Sequence, residues 1–281
     1  MERFLQEFEN YIGEELGKSA NTRVSYVRDL RLLFTWLKEK GIDRLEGIGK
    51  SDLQAYIDHL SSMHRSNATI SRCVASIRQF FVFAKSKGYI FEDPSASLKA
   101  PKVIRKAPKI ADDSDLEKLL KAPDLSTLKG IRDKAMLELM MSTGLRVSEL
   151  ISLRTGDVDL KKRNIHVLGA QGKERIVAYP KEVAAYMNDY SLITRGQMIG
   201  SRPDDGAFFV SCQGEKMTRQ GFWKLLKAYG KSAKLKEEIT PYTLRHSFAV
   251  YALKRGDDLK KLQNTLGHRA IYSTNEYVNF L

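Results

Sequence analysis

The first 88 residues carry the feature that constrains the fold most, a helical spacing of apolar residues that recurs in separate stretches. One stretch runs from Phe4 to Leu16 and stops at Gly17, and the next runs from Val24 to Leu37 and stops at Gly41. This spacing places the apolar side chains on one face of an α-helix, which must be buried against another element. Short amphipathic helices with short connections predict a small helical bundle.

Two further helices complete the predicted bundle. Ser51 and Gln54 have the spacing of a capping box, which predicts a helix that begins there and continues through Leu60. A fourth helix is expected to begin near Ser66 and to end at Gly88, because glycine readily adopts the left-handed conformation that often terminates a helix. The bundle is therefore predicted to contain four helices.

Beyond residue 111 the pattern is mixed, because strand-like runs interrupt the helices. The runs 165–167 and 176–179 flank a glycine-containing loop and predict a β-hairpin, and Phe208–Val210 is predicted as a third strand. Helical spacing predicts helices over 114–122, 128–142, 183–193, 218–229, 242–254 and 259–266, with a last short helix through Tyr277. The predicted fold class is mainly α with a small antiparallel sheet (α+β).

A basic segment with several prolines separates the two halves. Pro94, Pro101 and Pro108 lie in a stretch without helical spacing, and residues 99–110 contain five cations and no carboxylate. We therefore predict a helical domain at residues 1–98, a basic interdomain linker at 99–110 and a second domain at 111–281.

The balance of charge indicates a polyanionic partner. The net charge is +13 and the isoelectric point is about 9.6, and nucleic acid is the commonest partner of such a chain. The candidate DNA-binding residues lie just before the fourth helix, on it and in the linker: Arg65, Arg72, Lys102, Arg105 and Lys106. A solvated helix face and a solvated tether would account for the same cations.

Several function classes lack their sequence signals. The chain has no phosphate-binding loop, no dinucleotide fingerprint, no HExxH and no paired-cysteine zinc motif. The acidic pairs 112–113, 204–205 and 257–258 lie where helices begin or in loops, and we interpret them as helix caps. We therefore expect neither a metal nor a cofactor. The absence of an apolar signal or membrane segment predicts a soluble, cytoplasmic protein.

Five residues supply the groups that metal-free chemistry on a phosphodiester needs. Arg146 and Arg245 suit the negative charge that builds on the phosphate oxygens, because one guanidinium group can donate hydrogen bonds to two such oxygens. Lys173 or His268 could give a proton to the leaving oxygen, and the hydroxyl of Tyr277 could attack the phosphorus.

The motifs around these residues resemble those of the tyrosine recombinases of the integrase family, nearest the Xer-type enzymes. They are Ser142–Leu150, Gly172–Arg175, Thr243–Ala249, Leu266–His268 and Tyr277. The resemblance extends over nearly the whole chain, because the helical first domain fits the core-binding, SAM-like domain of that family.

The resemblance implies a role for each candidate. Arg146 and Arg245 would clamp the scissile phosphate, and Lys173 would protonate the leaving 5′ oxygen. His268 would donate a hydrogen bond to a non-bridging oxygen, and Tyr277 would form a 3′-phosphotyrosyl bond. Glu149 would orient its neighbours without reacting.

The resemblance also implies a function and an assembly. The chain would be a site-specific recombinase that acts on double-stranded DNA without metal or nucleotide. It would work as a homotetramer on two DNA sites, from a monomer or dimer in the absence of DNA, and would resolve chromosome dimers. The alternatives are an integrase of a mobile element, a type IB topoisomerase that relaxes DNA, and a DNA-binding protein with impaired catalysis.

Two departures from the family pattern stand out. Tyr242 occupies the position where the family usually has histidine, and a phenol donates a hydrogen bond but does not carry imidazolium charge. Tyr242 therefore joins the predicted catalytic set at the histidine position, and is also a rival nucleophile. Only residues 278–281 follow Tyr277, whereas the family extends a C-terminal helix into a neighbouring subunit. We expect the coupling of subunits to differ accordingly.

Overall fold

The computed structural model describes residues 1–104, 107–169, 172–268 and 270–281. The chain divides into two compact units, Met1–Lys106 and Ala107–Leu281. The boundary falls inside the segment 99–110, and the division into a helical domain, a linker and a second domain stays a prediction. No helix in the described part of the chain is both long enough and apolar enough to cross a membrane.

The first unit is built from four α-helices, as the apolar spacing predicts. They are α1 (Glu2–Glu14), α2 (Ala20–Glu39), α3 (Lys50–Ser62) and α4 (Asn67–Ser86). A short 3-10 turn, Leu45–Gly47, precedes α3. The apolar faces meet in one core, where Phe8 of α1 contacts Phe80 of α4 edge to face, with ring centroids 5.4 Å apart. Fully buried aromatic rings of this kind contribute much of the stability of a small bundle.

Side chains cap α2, α3 and α4, and one predicted cap is wrong. The hydroxyl of Ser66 accepts a hydrogen bond from the backbone of Thr69 at the start of α4. Helix α3 begins at Lys50, one residue before the predicted capping box at Ser51 and Gln54. The carboxylate of Asp52 accepts from the backbone N–H of Gly49 at 2.8 Å, because an acid in the first turn satisfies a free donor and the helix dipole together.

The second unit is mostly helical and contains the sheet. Its helices are α5 (Asp113–Lys121), α6 (Leu128–Thr143), α7 (Val147–Ser152), α8 (Lys181–Asp189), α9 (Arg195–Ile199), α10 (Arg219–Ser232), α11 (Pro241–Lys254), α12 (Leu259–Leu266) and α13 (Tyr272–Asn275). A π-helical turn, Tyr190–Thr194, joins α8 to α9, and a 3-10 turn, Glu276–Phe280, follows α13. Most apolar residues of this unit pack in one core around α6.

The sheet has the order β1–β2–β3 and is antiparallel throughout. Its strands are β1 (Val158–Asp159), β2 (Asn164–Leu168) and β3 (Glu174–Ala178). The hairpin of β2 and β3 follows the prediction, but the predicted third strand Phe208–Val210 is wrong. That segment joins no sheet, since its one bridge links Val210 to Lys216. Phe208 and Phe209 are both buried. The segment is therefore apolar because both sides of the chain are buried, and not because it pairs in a sheet. With this change, the predicted fold class is confirmed.

The acidic pairs divide between two roles. Asp112 accepts from the backbone of Ser114 and Asp258 accepts from the backbone of Lys260, so these two cap α5 and α12 as predicted. Asp204 caps no helix, and the prediction is wrong there. Its carboxylate binds the guanidinium of Arg195 through two hydrogen bonds of 2.6 and 2.8 Å.

Candidate active site

A glycine turn between α6 and α7 places the first arginine of the site. Gly144 has a φ of +62°, and a Cβ there would lie 2.3 Å from Cδ1 of Phe248, so only glycine fits. Two residues later the backbone N–H of Arg146 donates to Glu149 Oε2, and its guanidinium donates to Glu149 Oε1, both at 2.8 Å. The Arg146 side chain is 37 % exposed, so its outer edge is open to an incoming group.

The second arginine, Arg245, lies in the interior beneath the first. Its guanidinium donates to the carbonyl oxygens of Gly144 at 2.6 Å and Leu266 at 2.7 Å. Burial, followed by repulsion from Arg146, lowers the pKa of Arg245 to about 10. A guanidinium held this way is charged at neutral pH and fixed in orientation, which suits the binding of an oxyanion.

One carboxylate holds the cations together. Glu149 is buried and accepts two hydrogen bonds from Arg175, at 2.9 and 3.0 Å, besides those from Arg146. Arg245 approaches the same carboxylate to 4.0 Å. Burial acts to raise the pKa of Glu149, but the hydrogen bonds and charge of Arg175 and Arg146 outweigh it, and the pKa is lowered. Three guanidinium groups around one carboxylate leave an excess of positive charge.

Arg175 had no role assigned from the sequence. Its side chain also donates to the carbonyl oxygen of Thr265 at 2.8 Å, so it ties β3 to α12 and to Glu149. The alternation of β3 could have indicated this position, because Arg175 lies on the same face as the buried Val177.

Lys173 immediately precedes β3, the second strand of the hairpin, and is exposed. It lines an open groove together with Arg146, Arg175, Gly267 and His268. Lys173 is therefore one of the residues that border the same groove as the arginines. The neighbouring loop residues 170 and 171 lie outside the described residues.

His268 follows the left-handed end of α12 at Gly267, where φ is +63°. Its Nδ1 is hydrogen-bonded to Oγ1 of Thr274 at 2.9 Å, which fixes the ring and leaves Nε2 for another partner. Burial, followed by the charges of Arg245 and Arg146, lowers the pKa of His268 to about 4. The imidazole is therefore neutral at pH 7.

Tyr277 lies in the 3-10 turn after α13 and is only 3 % exposed. Its hydroxyl is 2.8 Å from Nδ1 of His246. Sequence reasoning assigned no role to His246, although it follows Arg245 in the same motif. The ring of Tyr277 also stacks on His268, with centroids 6.3 Å apart. Burial raises the pKa of Tyr277, while Arg245 and Arg146 act in the opposite direction.

Tyr242 and Tyr277 line one cavity but differ in exposure. The walls of this cavity include Arg146, Arg245, His246 and His268. Tyr242 lies in the first turn of α11 and is 64 % exposed. Of the two phenols, only that of Tyr277 is buried. The structure thus brings Arg146, Arg245, His268 and both tyrosines together at this cavity, and Glu149 binds Arg146 without lining it.

The candidate DNA-binding residues of the first unit have different surroundings. Arg65 and Lys102 are exposed. Arg72 instead binds the buried Asp29 through two hydrogen bonds of 2.9 Å, and its side chain is 35 % exposed. Its guanidinium therefore has a structural role, and its contact with DNA stays a prediction. Arg105 and Lys106 lie outside the described residues.

The described residues contain no group of three or more histidine, cysteine or carboxylate side chains placed to hold a metal ion. The expectation that the chain uses neither a metal nor a cofactor stays a prediction.

Comparison with known proteins gives matches over both units. Residues 109–281 match the Phage integrase family, and residues 5–88 match the Phage integrase, N-terminal SAM-like domain. The chain is 36 % identical over 279 residues to a tyrosine recombinase XerD of Staphylococcus epidermidis, covering 99 % of this chain and 94 % of the relative. It is 37 % identical over 280 residues to a tyrosine recombinase XerC of Herpetosiphon aurantiacus, covering 99 % and 91 %.

A solved structure has a similar fold. It is the XerH site-specific recombinase bound to a palindromic difH substrate in a post-cleavage complex. The TM-score is 0.76 at 20 % identity, over 98 % of this chain and 81 % of the other.

Proposed function

Because the chain belongs to the phage integrase family of tyrosine recombinases, we propose that it is a site-specific DNA recombinase of the Xer type. It cuts and rejoins double-stranded DNA through a 3′-phosphotyrosyl intermediate, in the cytoplasm. The observation that carries this proposal is the single cavity that Arg146, Arg245, His268 and the buried Tyr277 line together.

The cations of this cavity suit the charge of a reacting phosphodiester. Arg146 and Arg245 bind its non-bridging oxygens, on which negative charge grows as the nucleophile attacks. Glu149 has its carboxylate shared between Arg146 and Arg175, so it fixes the direction of the Arg146 guanidinium. His268 is neutral, and its Nε2–H donates a further hydrogen bond to the phosphate.

The cleavage step exchanges one phosphodiester for another. The Tyr277 hydroxyl oxygen forms a bond to phosphorus as the bond from phosphorus to the 5′ oxygen breaks. Lys173 gives a proton to that leaving oxygen, and its exposed position on the groove beside Arg146 supports this role. The energy of the broken bond is kept in the phosphotyrosine, so the 5′ hydroxyl of another strand reverses the step and reseals the DNA.

Strand exchange needs two duplexes, and we propose a homotetramer on two DNA sites, as the family resemblance implies. The similarity to XerD and XerC supports the resolution of chromosome dimers as the biological role. The first unit and residues 99–110 are proposed to hold the duplex through Arg65, Arg72, Lys102, Arg105 and Lys106.

The test uses a DNA site selected from a random pool by binding to the protein. A duplex of that site, nicked near the cleavage point, loses a short fragment after cleavage and so traps the covalent complex. The wild type and the matched variant Tyr242→Phe should both give the trapped band, and Tyr277→Phe should give none. A covalent band with Tyr277→Phe, or its loss with Tyr242→Phe alone, would overturn the assignment of the nucleophile.

A second assay separates recombination from relaxation. A supercoiled plasmid that carries two selected sites should give products of altered linkage. Relaxation without such products would instead indicate a topoisomerase-like enzyme.

A further inference from the structure

The hydroxyl of Tyr277 is in contact with an imidazole that has no assigned role. Among the described residues, His246 is the one hydrogen-bond partner of this hydroxyl, with 2.8 Å between Nδ1 and the phenolic oxygen. Tyr277 is 3 % exposed, so bulk water has little access to its proton. Removal of that proton during attack therefore needs an acceptor within the protein.

The environment makes the proton hard to remove without such an acceptor. Burial raises the pKa of Tyr277, because the phenolate is poorly solvated in the interior. Burial, and then the charge of Arg245, lowers the pKa of His246, so this imidazole is neutral at pH 7. A neutral imidazole that carries its own hydrogen on Nε2 has a free lone pair on Nδ1, directed to the phenol.

We propose that His246 is a catalytic residue of the cleavage step and accepts the proton of Tyr277. The inference rests on the proposed recombinase function and deepens it. As the Tyr277 oxygen bonds to phosphorus, its proton moves to Nδ1 of His246. The bond from phosphorus to the 5′ oxygen breaks, and that oxygen takes its proton from the separate donor, Lys173. In the resealing step the His246 imidazolium returns the proton to the leaving phenolate.

His246 lies on the same helix, α11, as Tyr242, which occupies the position where the family usually has histidine. The two residues are one helical turn apart, at i and i+4, and both line the cavity of Tyr277. A phenol is a poor proton acceptor near neutral pH, whereas an imidazole is a good one. The chain therefore has an imidazole beside Tyr277, one helical turn after Tyr242.

Binding of the phosphodiester should strengthen this base. Arg245 disfavours the imidazolium form of His246 in the free protein. A phosphate held by Arg245 and Arg146 offsets their positive charge, so the cost of protonating His246 falls when DNA is bound. Activation of Tyr277 is then coupled to the occupation of the site.

The first experiment replaces the imidazole with an amide. In His246→Asn the side-chain oxygen still accepts a hydrogen bond from Tyr277 but does not take up a proton. Single-turnover cleavage of the nicked duplex should fall by about 10²-fold or more, which is the usual contribution of a general base. DNA binding and the unfolding temperature should stay as in the wild type. His166→Asn, an exposed position on β2, is the matched control and should cleave normally.

His246→Gln serves as a second variant if the asparagine variant does not fold. Cleavage at the wild-type rate by a folded His246→Asn or His246→Gln protein would overturn the proposal, because a hydrogen bond alone would then be sufficient.

The second experiment locates the proton transfer at the nucleophile. A substrate with sulfur in place of the 5′ bridging oxygen has a leaving group that needs no proton. Lys173→Ala should therefore regain most of its cleavage rate on this substrate, whereas His246→Asn should stay slow. Recovery of His246→Asn on the sulfur substrate would overturn the proposal, since His246 would then act on the leaving group. A wild-type protein that forms no covalent complex with either substrate would instead contradict the recombinase function itself.

Discussion

Asp29 and Glu149 are both buried carboxylates held by an arginine through two hydrogen bonds, yet their ionisation differs. Burial raises the pKa of Asp29, and its partner Arg72 only partly opposes this. Burial also acts to raise the pKa of Glu149, but Arg175 and Arg146 outweigh it and lower the pKa. The positive charge around Asp29 therefore only just balances its carboxylate, whereas the positive charge around Glu149 exceeds that of its carboxylate.

The excess of positive charge around Glu149 separates the proposed phosphate-binding site from the structural ion pair of Asp29. The Asp29–Arg72 pair is complete in itself, because one cation meets one anion within the bundle. Around Glu149 three guanidinium groups share one anion, and Arg245 is buried so deeply that its pKa falls to about 10. Such an excess of positive charge lowers the stability of the fold. Binding of a second anion beside the arginines offsets this charge. A phosphodiester fits this requirement.

The largest effect expected from this comparison is on catalysis. Arg245→Ala removes the proposed fixed donor to the phosphate and should slow single-turnover cleavage by about 10²- to 10³-fold. Arg72→Ala removes an arginine of the structural pair and should leave cleavage at saturating DNA nearly unchanged. Rates of covalent-complex formation on the nicked duplex measure both. Equal losses in the two variants would remove the distinction between the two sites.

Replacing each carboxylate with a neutral amide should lower the unfolding free energy by different amounts at the two sites. Glu149→Gln leaves three arginines without their anion, and breaking a buried pair typically costs about 3–5 kcal/mol of unfolding free energy. Asp29→Asn should cost about 1 kcal/mol, because the amide still accepts a hydrogen bond and Arg72 is partly exposed. Calorimetry of the full chain measures both variants. A larger loss in Asp29→Asn would contradict the surplus of charge at Glu149.

Acid should weaken the second unit before the first. The pKa of His268 falls to about 4 in the folded state, and that of His246 is also lowered, from an unfolded value of 6.5. The unfolded chain therefore takes up these protons first, so stability present above pH 6.5 is lost as the pH falls toward 4. Between pH 6.5 and 4.5 the loss should be about 1–3 kcal/mol.

Hydrogen exchange of the full chain can follow this loss separately in α11 and in α2. The double variant His246→Gln, His268→Gln should show a smaller loss. Equal weakening of α2 and α11 over this range, in the wild type, would contradict the assignment to these histidines.

The smallest effect concerns the basic segment after the bundle. Lys102→Gln should reduce the slope of log binding constant against log salt by up to about one unit, if Lys102 contacts a phosphate as predicted. Lys38→Gln on α2 changes the net charge equally at another exposed position and is the control. An unchanged slope in Lys102→Gln would show that this lysine belongs only to a tether.

The sequence predicts those features that depend on local spacing. The four helices of the first unit and the hairpin follow from apolar periodicity, and the arginines and Tyr277 follow from their motifs. The strand predicted at Phe208–Val210 failed because an apolar run has the same pattern in a strand and in a buried connection.

Contacts between distant residues could not be predicted in this way. The ion pair of Glu149 with Arg175 joins residues 26 apart in sequence, and the contact of His246 with Tyr277 joins residues 31 apart. No local pattern encodes these distances, since they depend on how α7, α11 and β3 pack. The partners of Arg175 and His246 therefore emerge only from the folded chain.

We infer that the cations around Glu149 require the negative charge of one phosphate. The direct test measures the affinity of Tyr277→Phe for the selected duplex with a neutral methylphosphonate placed at the cleavage position or at an outer position. Hydrogen bonds to charged groups contribute about 1.5–3 kcal/mol, so the substitution at the cleavage position should weaken binding by about tenfold or more. The outer substitution should have a much smaller effect. Equal weakening of binding by the two substitutions would show that the cations around Glu149 do not require the charge of the phosphate at the cleavage position.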